Sequence, residues 1–340
     1  MKKVNVKSRA MRIHKRAVII DGHNDHIMLR CEQGKPINLM KVDKKYHSDG
    51  PRLLKGGMTA SLFMVDGHDL ARSLMILERT LHEIEAYPKH LLHVIRCADI
   101  RKAKRTGRLG IMLTWESGTA LCNNIDILRL AHRLGIRSIT LTHGEGGQPF
   151  ALQGTPSYFG YCTPEDRESF RRTMKGLTAF GRQVVKEMNH LGVLVDLAHI
   201  NDAAFYDVIE IAEKPVVSTH GGVFACAPHS RCLTDDQLRA IARTGGLLGI
   251  AFYDKFIAQE RATIDKIVDQ IAYVADLVGI GHVGIGSDFD GLGRGVWPVI
   301  RTADRLPRLT EAMVRRGFSE AEIRKVLGGN FLRVLRATIG

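Results

Sequence analysis

Eight short apolar runs recur along the 340-residue chain, each followed by a polar turn and a longer segment of helical period. They occupy 17–21, 58–64, 109–115, 137–142, 193–198, 215–219, 247–252 and 282–287. Parallel strands cannot be joined by tight turns and need a crossover, usually a helix, so this alternation predicts a parallel sheet covered by helices. Eight such units in one chain predict an α/β fold of the (β/α)8 TIM-like barrel type, with 1–340 as a single domain carrying enlarged loops. Length alone suggests two domains at roughly 100–200 residues each, yet single barrels of about 250 residues are usual. A doubly wound open sheet is the alternative, but no Gly-x-Gly-x-x-Gly turn follows the first run, where a dinucleotide fold needs one.

The helical segments carry their own punctuation. Thr234 with Gln237 and Ser319 with Glu322 have capping-box spacing. Leu70, Leu74, Leu77, Leu81 and Ile84 fall on one face of 69–86, and Ile264, Ile267, Ile271, Val274 and Val278 on one face of 263–278. The stretch 144–177 is the longest without clear periodicity and reads as a binding loop or lid.

The apolar runs end in residues that can hold a metal ion. The first runs into Asp21-Gly22-His23-Asn24-Asp25, where a side-chain period of two puts His23 and Asp25 on the same side. The third run ends at Glu116, the fourth at His143, the fifth at His199, the sixth at His220 and the eighth at Asp288. All strand ends of a barrel meet at one face, so these residues are expected to converge. Four His and three carboxylates without Cys suit zinc or a similar divalent ion, and exceed what one tetrahedral ion takes. Two ions sharing a carboxylate use the set better. Each of these residues alone reads more simply as a loop or core residue; their joint placement at strand ends favours a cluster. His82, His90 and His132 fall in helical or helix-terminal segments and read as peripheral.

Composition narrows the remaining classes. Against 36 Asp and Glu stand 49 Lys and Arg, a net charge of +13. The densest basic run, 101–108, contains no aromatic residue, so a solvated surface is favoured over a nucleic-acid footprint. Six scattered Cys with no Cys-x-x-Cys pair read as reduced thiols, and the absence of a long apolar segment or signal-like start points to a cytoplasmic protein.

Six motifs occur in order: Ile-Asp-Gly-His-Asn-Asp at 20–25, Thr-Leu-Thr-His at 140–143, Gly-Leu-Thr-Ala-Phe-Gly at 176–181, Val-Asp-Leu-Ala-His at 195–199, Gly-Ser-Asp-Phe-Asp-Gly at 286–291 and Val-Leu-Gly-Gly-Asn at 326–330. On these the chain resembles the membrane (renal) dipeptidase family, zinc peptidases among the amidohydrolase-like barrels, from Ile20 to about Arg336. The resemblance implies that His23 and Asp25 hold one Zn2+, His199 and His220 the second, and Glu116 bridges both. It also implies that His143 contacts the substrate carbonyl or oxyanion, that Arg231 binds the substrate carboxylate, and that Asp288 is the acid/base. Two ions would share a hydroxide that attacks the peptide bond. Ser117 after Glu116, His26 and Ile27 after Asp25, Gly144 after His143, and Ser230 and Cys232 beside Arg231 depart from the usual family residues, and bear on substrate preference.

The expected activity is hydrolysis of dipeptides with a free C-terminal carboxylate, D-configured C-terminal residues included. The expected partner is the small dipeptide, without nucleic acid or membrane, and a homodimer is left open. One alternative is another binuclear hydrolase of the same barrel acting on a lactone, cyclic amide or aminated base. Many of those bridge their metals with a carboxylated Lys on the fourth strand, and no Lys lies in 137–142. The other alternative is a non-catalytic basic binding protein.

Overall fold

Among the described residues ten strands form in chain order: β1 Ile20–Asn24, β2 Ala60–Met64, β3 Leu91–His93, β4 Leu109–Trp115, β5 Ile136–Thr140, β6 Leu194–Asp196, β7 Val217–Val223, β8 Cys232–Leu233, β9 Leu247–Ile250 and β10 Val283–Ile285. The computed structural model describes residues 5–67, 69–143, 152, 160–293 and 295–340. Pairing is parallel throughout and runs β1–β2–β4–β5–β6–β7–β9–β10, with β10 returning to β1, so eight strands close a barrel. These eight are the runs read from the sequence. β3 and β8 lie off the ring and are only three and two residues long, too short to leave a periodic signal. β3 pairs with residues 109–111 of β4, along an edge that β5 takes over at 113–115.

Burial on both faces explains why the strands read as continuous apolar runs rather than alternating ones. Ile20, Leu62, Met112, Leu194, Val217 and Leu247, from the N-terminal parts of six ring strands, form one buried cluster with Phe331, Val334 and Leu335 of the C-terminal helix Asn330–Ile339. Phe331 needs bare backbone beside it: a Cβ on Gly22 or Gly284 would lie 2.6 or 2.8 Å from its ring. That end of the barrel is therefore packed shut with hydrocarbon, and polar side chains are left to the other.

The helix Leu70–Ala86 starts at an Asp69 cap and buries Ser73, Ile76, Leu77, Thr80 and Ile84, with Leu70, Leu74 and Leu81 only partly buried. Its inward face is thus rotated slightly from the leucine stripe, because small Ser73 and Thr80 allow close approach. Ile264–Val278 is centred on Ile267, Ile271 and Val274 as expected. Both capping boxes form.

The stretch 144–177 is corrected in part. It contains the helix Pro164–Thr173, begun by a Thr163–Asp166 capping box with Pro164 in the first turn, a signal present in the sequence. Residues 144–151 and 153–159 lie outside the described residues. Among the described residues no helix is long and apolar enough to cross a membrane.

Candidate metal centre

Seven side chains meet beyond the C-terminal ends of the ring strands. His23 lies within β1 and Asp25 just past it, after the strand leaves regular pairing between Asp21 and Asn24. Glu116 follows β4, His143 follows β5, His199 follows β6 and Asp288 follows β10. His220 was expected at a strand end but sits inside β7, which runs on to Val223 after a register shift between Ser218 and Gly221. The irregularity turns an inner strand residue into the mouth. His199 and Asp288 adopt φ of 64° and 59°, a left-handed backbone uncommon for residues with a Cβ and concentrated at functional sites.

Glu116 is the hub. Its Oε1 lies 3.3 Å from His23 Nε2, 3.0 Å from His199 Nε2 and 3.4 Å from His220 Nε2, and its Oε2 lies 3.8 Å from His143 Nε2. Asp25 Oδ2 is 3.2 Å from His23 Nε2. His199 and His220 bring their Nε2 atoms to 3.1 Å. Candidate ligand atoms fall into three overlapping groups, each within 4.8 Å: His23, Asp25 and Glu116; Glu116, His143 and His199; His23, His220 and Asp288.

This donor set suits divalent cations. Among the described residues neither oxygen of the buried Asp25 carboxylate has a hydrogen-bond partner, and His23 is its ion-pair contact, an arrangement that costs several kcal/mol unless further positive charge meets it. Burial, with Arg231 next for His199 and His23 next for His220, holds both well below the usual imidazole range, so each ring is neutral and offers one lone-pair nitrogen. Burial also opposes charge on His23, but Asp25 and Glu116 outweigh it and hold that imidazole well above its usual value. Burial pushes Glu116 well above the carboxylate range and Asp288 up to about 6. Clustered carboxylates of this kind are relieved by bound positive charge.

A layer of hydrogen bonds holds the ligands. Asp21 accepts from Ser287 N and Oγ, each at 2.7 Å, and so ties β1 to the turn carrying Asp288. Asp290 accepts from His26 Nδ1 at 3.0 Å, His47 N at 2.6 Å and Ser48 Oγ at 2.8 Å, fixing the loop over that side. Between them Gly291 presses on the site, since a Cβ there would lie 2.3 Å from both Asp25 Oδ2 and Asp288 Oδ1. Sequence reading gave Asp21 and Asp290 no role, although both lie inside the quoted motifs. A separate cavity of about 490 Å3, bordered by Tyr46, His47, Asp290 and Trp297, is lined by none of the seven.

Arg231 is buried with its guanidinium 5.5 Å from the centre of the Phe256 ring, and among the described residues its Nε and Nη2 have no hydrogen-bond partner. Asp288 and Glu116 are near enough to favour its charge against the effect of burial. Its backbone N–H donates to His229 Nδ1 at 3.1 Å. Burial, then Arg231, pushes His229 down to about 4 from 6.5. A depressed folded value means that stability from neutral His229 is complete above pH 6.5 and is lost as pH falls towards 4. We expect denaturant unfolding of metal-free protein to show a stability decline across that window that is shallower in His229→Asn, whose amide oxygen can still accept from Arg231 N. Equal declines would remove His229 from the acid response.

Of the sequence-predicted positions, the structure brings together all seven candidate ligands and catalytic groups, with Arg231 close by. His82 and His90 are exposed and His132 half-buried on its helix, away from this cluster.

The profile of the membrane dipeptidase family (peptidase family M19) matches residues 7–339. The chain is 30% identical to the dipeptidase tcpJ of Claviceps purpurea, covering 93% of this chain and 76% of that one. Among solved structures it is similar to the dipeptidase AC, a metallopeptidase of family M19, at TM-score 0.85 and 27% identity over 95% of this chain and 99% of that one. It is also similar to a metallopeptidase from Rhodobacter sphaeroides liganded with a phosphinate mimic of the dipeptide L-Ala-D-Ala, at TM-score 0.84 and 26% identity over the same shares. With the family profile spanning nearly all of the sequence and the fold shared end to end, the chain belongs to the membrane dipeptidase family and is a metallopeptidase of that type.

Proposed function

We propose that this metallopeptidase uses two divalent ions, zinc by preference, to hydrolyse dipeptides that carry a free C-terminal carboxylate, including those with a D-configured C-terminal residue. The observation that carries the reading is one carboxylate, Glu116, placed within 3.4 Å of three imidazole nitrogens. A carboxylate has two oxygens and can serve two ions, so Glu116 would be the shared ligand, with His23 and Asp25 holding one ion and His199 and His220 the other. When bound, the ions supply a polarised scissile carbonyl and water acidic enough to attack at neutral pH.

The remaining work belongs to the chain. Asp288 accepts the proton of the attacking water and returns it to the leaving amine, a cycle suited to a carboxyl held near 6. His143 donates to the developing oxyanion, and its side chain is 31% exposed where that of His199 is 11%, which leaves it able to reach a substrate. Arg231 offers two N–H directions without a hydrogen-bond partner among the described residues, in a planar fork that matches a carboxylate. A peptide only two residues long places that carboxylate next to its scissile bond. Tolerance of a D-residue is supported by the ligand of the Rhodobacter relative. One barrel domain suffices for all these roles, and six free cysteines are compatible with a reducing cytoplasm.

Arg231→Ala tests the substrate end. We expect KM for a free dipeptide to rise by about 10–100-fold, as loss of a charged hydrogen bond of roughly 1.5–3 kcal/mol implies. The same dipeptide amidated at its C-terminus, already a poor substrate, should be nearly indifferent. Equal losses for both would take carboxylate recognition away from Arg231.

A further inference from the structure

We propose that Asp196 and Thr219 are positioning residues that lock the proton of His220 on Nδ1, so that Nε2 is delivered bare to the metal centre. Nothing in the family resemblance gives either residue a role, and the metal half of the inference rests on the function proposed above.

Asp196 is buried at the end of β6. Its Oδ1 accepts from the backbone N–H of Thr219 at 2.8 Å and of Ala198 at 3.1 Å. Its Oδ2 accepts from Thr140 Oγ1 at 2.5 Å and from Thr219 Oγ1 at 2.6 Å. The backbone groups can only donate, and a carboxylate meeting four donors acts as acceptor throughout. The single hydroxyl proton of Thr219 therefore points to Asp196. What Thr219 Oγ1 has left are lone pairs, and one faces His220 Nδ1 at 3.0 Å. For that contact to be a hydrogen bond, Nδ1 must carry the proton. A neutral imidazole has one N–H, so Nε2 is an unprotonated ligand, directed at the place where Glu116 Oε1 and His199 Nε2 lie 3.4 and 3.1 Å away.

The same carboxylate ties the ends of β5 and β6 to the interior of β7. Thr140 closes β5 three residues before His143, Ala198 precedes His199, and Thr219 precedes His220. Asp196 thus sets the spacing of three of the four site histidines without touching any of them.

Thr219→Val keeps the shape and removes the relay. In the metal-free wild type, 15N–1H correlation of the imidazoles should find His220 as a single tautomer protonated at Nδ1; in the valine variant the proton should redistribute between the two nitrogens. Calorimetric titration with Zn2+ should find one of two sites weakened by about 10–100-fold, the usual effect of losing a supporting partner, while the other is kept. Thr219→Ser should restore both signals. If the valine variant does not fold, Thr219→Ala carries the same expectations. An unchanged tautomer together with unchanged Zn2+ affinities would overturn the proposal. Failure of the wild type to take up Zn2+ would overturn the proposed function instead, and the tautomer comparison would still decide the relay.

Discussion

Asp288→Asn lowers kcat for dipeptide hydrolysis by about 10²–10⁴-fold, the usual worth of a general acid–base group. The two side chains have the same shape, and the amide cannot carry the proton between water and leaving amine. The position itself is demanding: Asp288 holds a left-handed φ of 59°, a conformation that Asn and Asp tolerate better than other residues with a Cβ. Asparagine therefore keeps the turn, and KM should change little because the lost step belongs to the transition state. Metal content separates two roles. Asp288 shares a candidate ligand group with His23 and His220, so loss of bound metal in the variant would make it a ligand, whereas slow turnover at full occupancy makes it the acid/base. Unchanged turnover would remove it from the mechanism.

Glu116→Ala is expected to abolish activity and to remove both metal equivalents, while Asp25→Ala removes chiefly one. The difference follows from position: Glu116 contacts His23, His199 and His220, whereas the ion-pair contact of Asp25 is with His23 alone. The metal-free Glu116→Ala protein should unfold at a temperature no lower than the metal-free wild type. In the absence of a cation, burial pushes this carboxyl well above its ordinary range, so it is an electrostatic burden on the apo fold. Equilibrium dialysis gives the stoichiometry and calorimetry the melting temperature. Retention of both equivalents would refute the bridge.

Much of this was legible before any coordinates. The eight ring strands announced themselves because a strand buried on both sides must be apolar along its length, and the C-terminal punctuation of those runs named all seven clustered residues. What could not be read had physical reasons. β3 and β8 are too short to carry a period. The extension of β7 past His220 depends on a register shift that only pairing with β9 reveals. The helix Pro164–Thr173 buries Arg167 rather than an apolar stripe, so only Thr163, Pro164 and Asp166 at its start mark it in sequence. Asp21, Asp196 and Asp290 look in sequence like three more acids near the ligands. Their partners, Ser287, Thr219 and His47, lie 266, 23 and 243 residues away, and only the closed barrel brings them together.

We propose the strand-end cluster as a two-metal centre for dipeptide cleavage. The most direct measurement is metal analysis of the purified protein, followed by chelation and stepwise return of Zn2+ while a panel of L,L- and L,D-dipeptides is assayed. The account predicts that activity is lost on chelation and returns as two equivalents bind, with free dipeptides cleaved and their C-terminal amides spared. Full activity in a demonstrably metal-free sample, or no hydrolysis across the panel by the Zn2+-loaded protein, would contradict it.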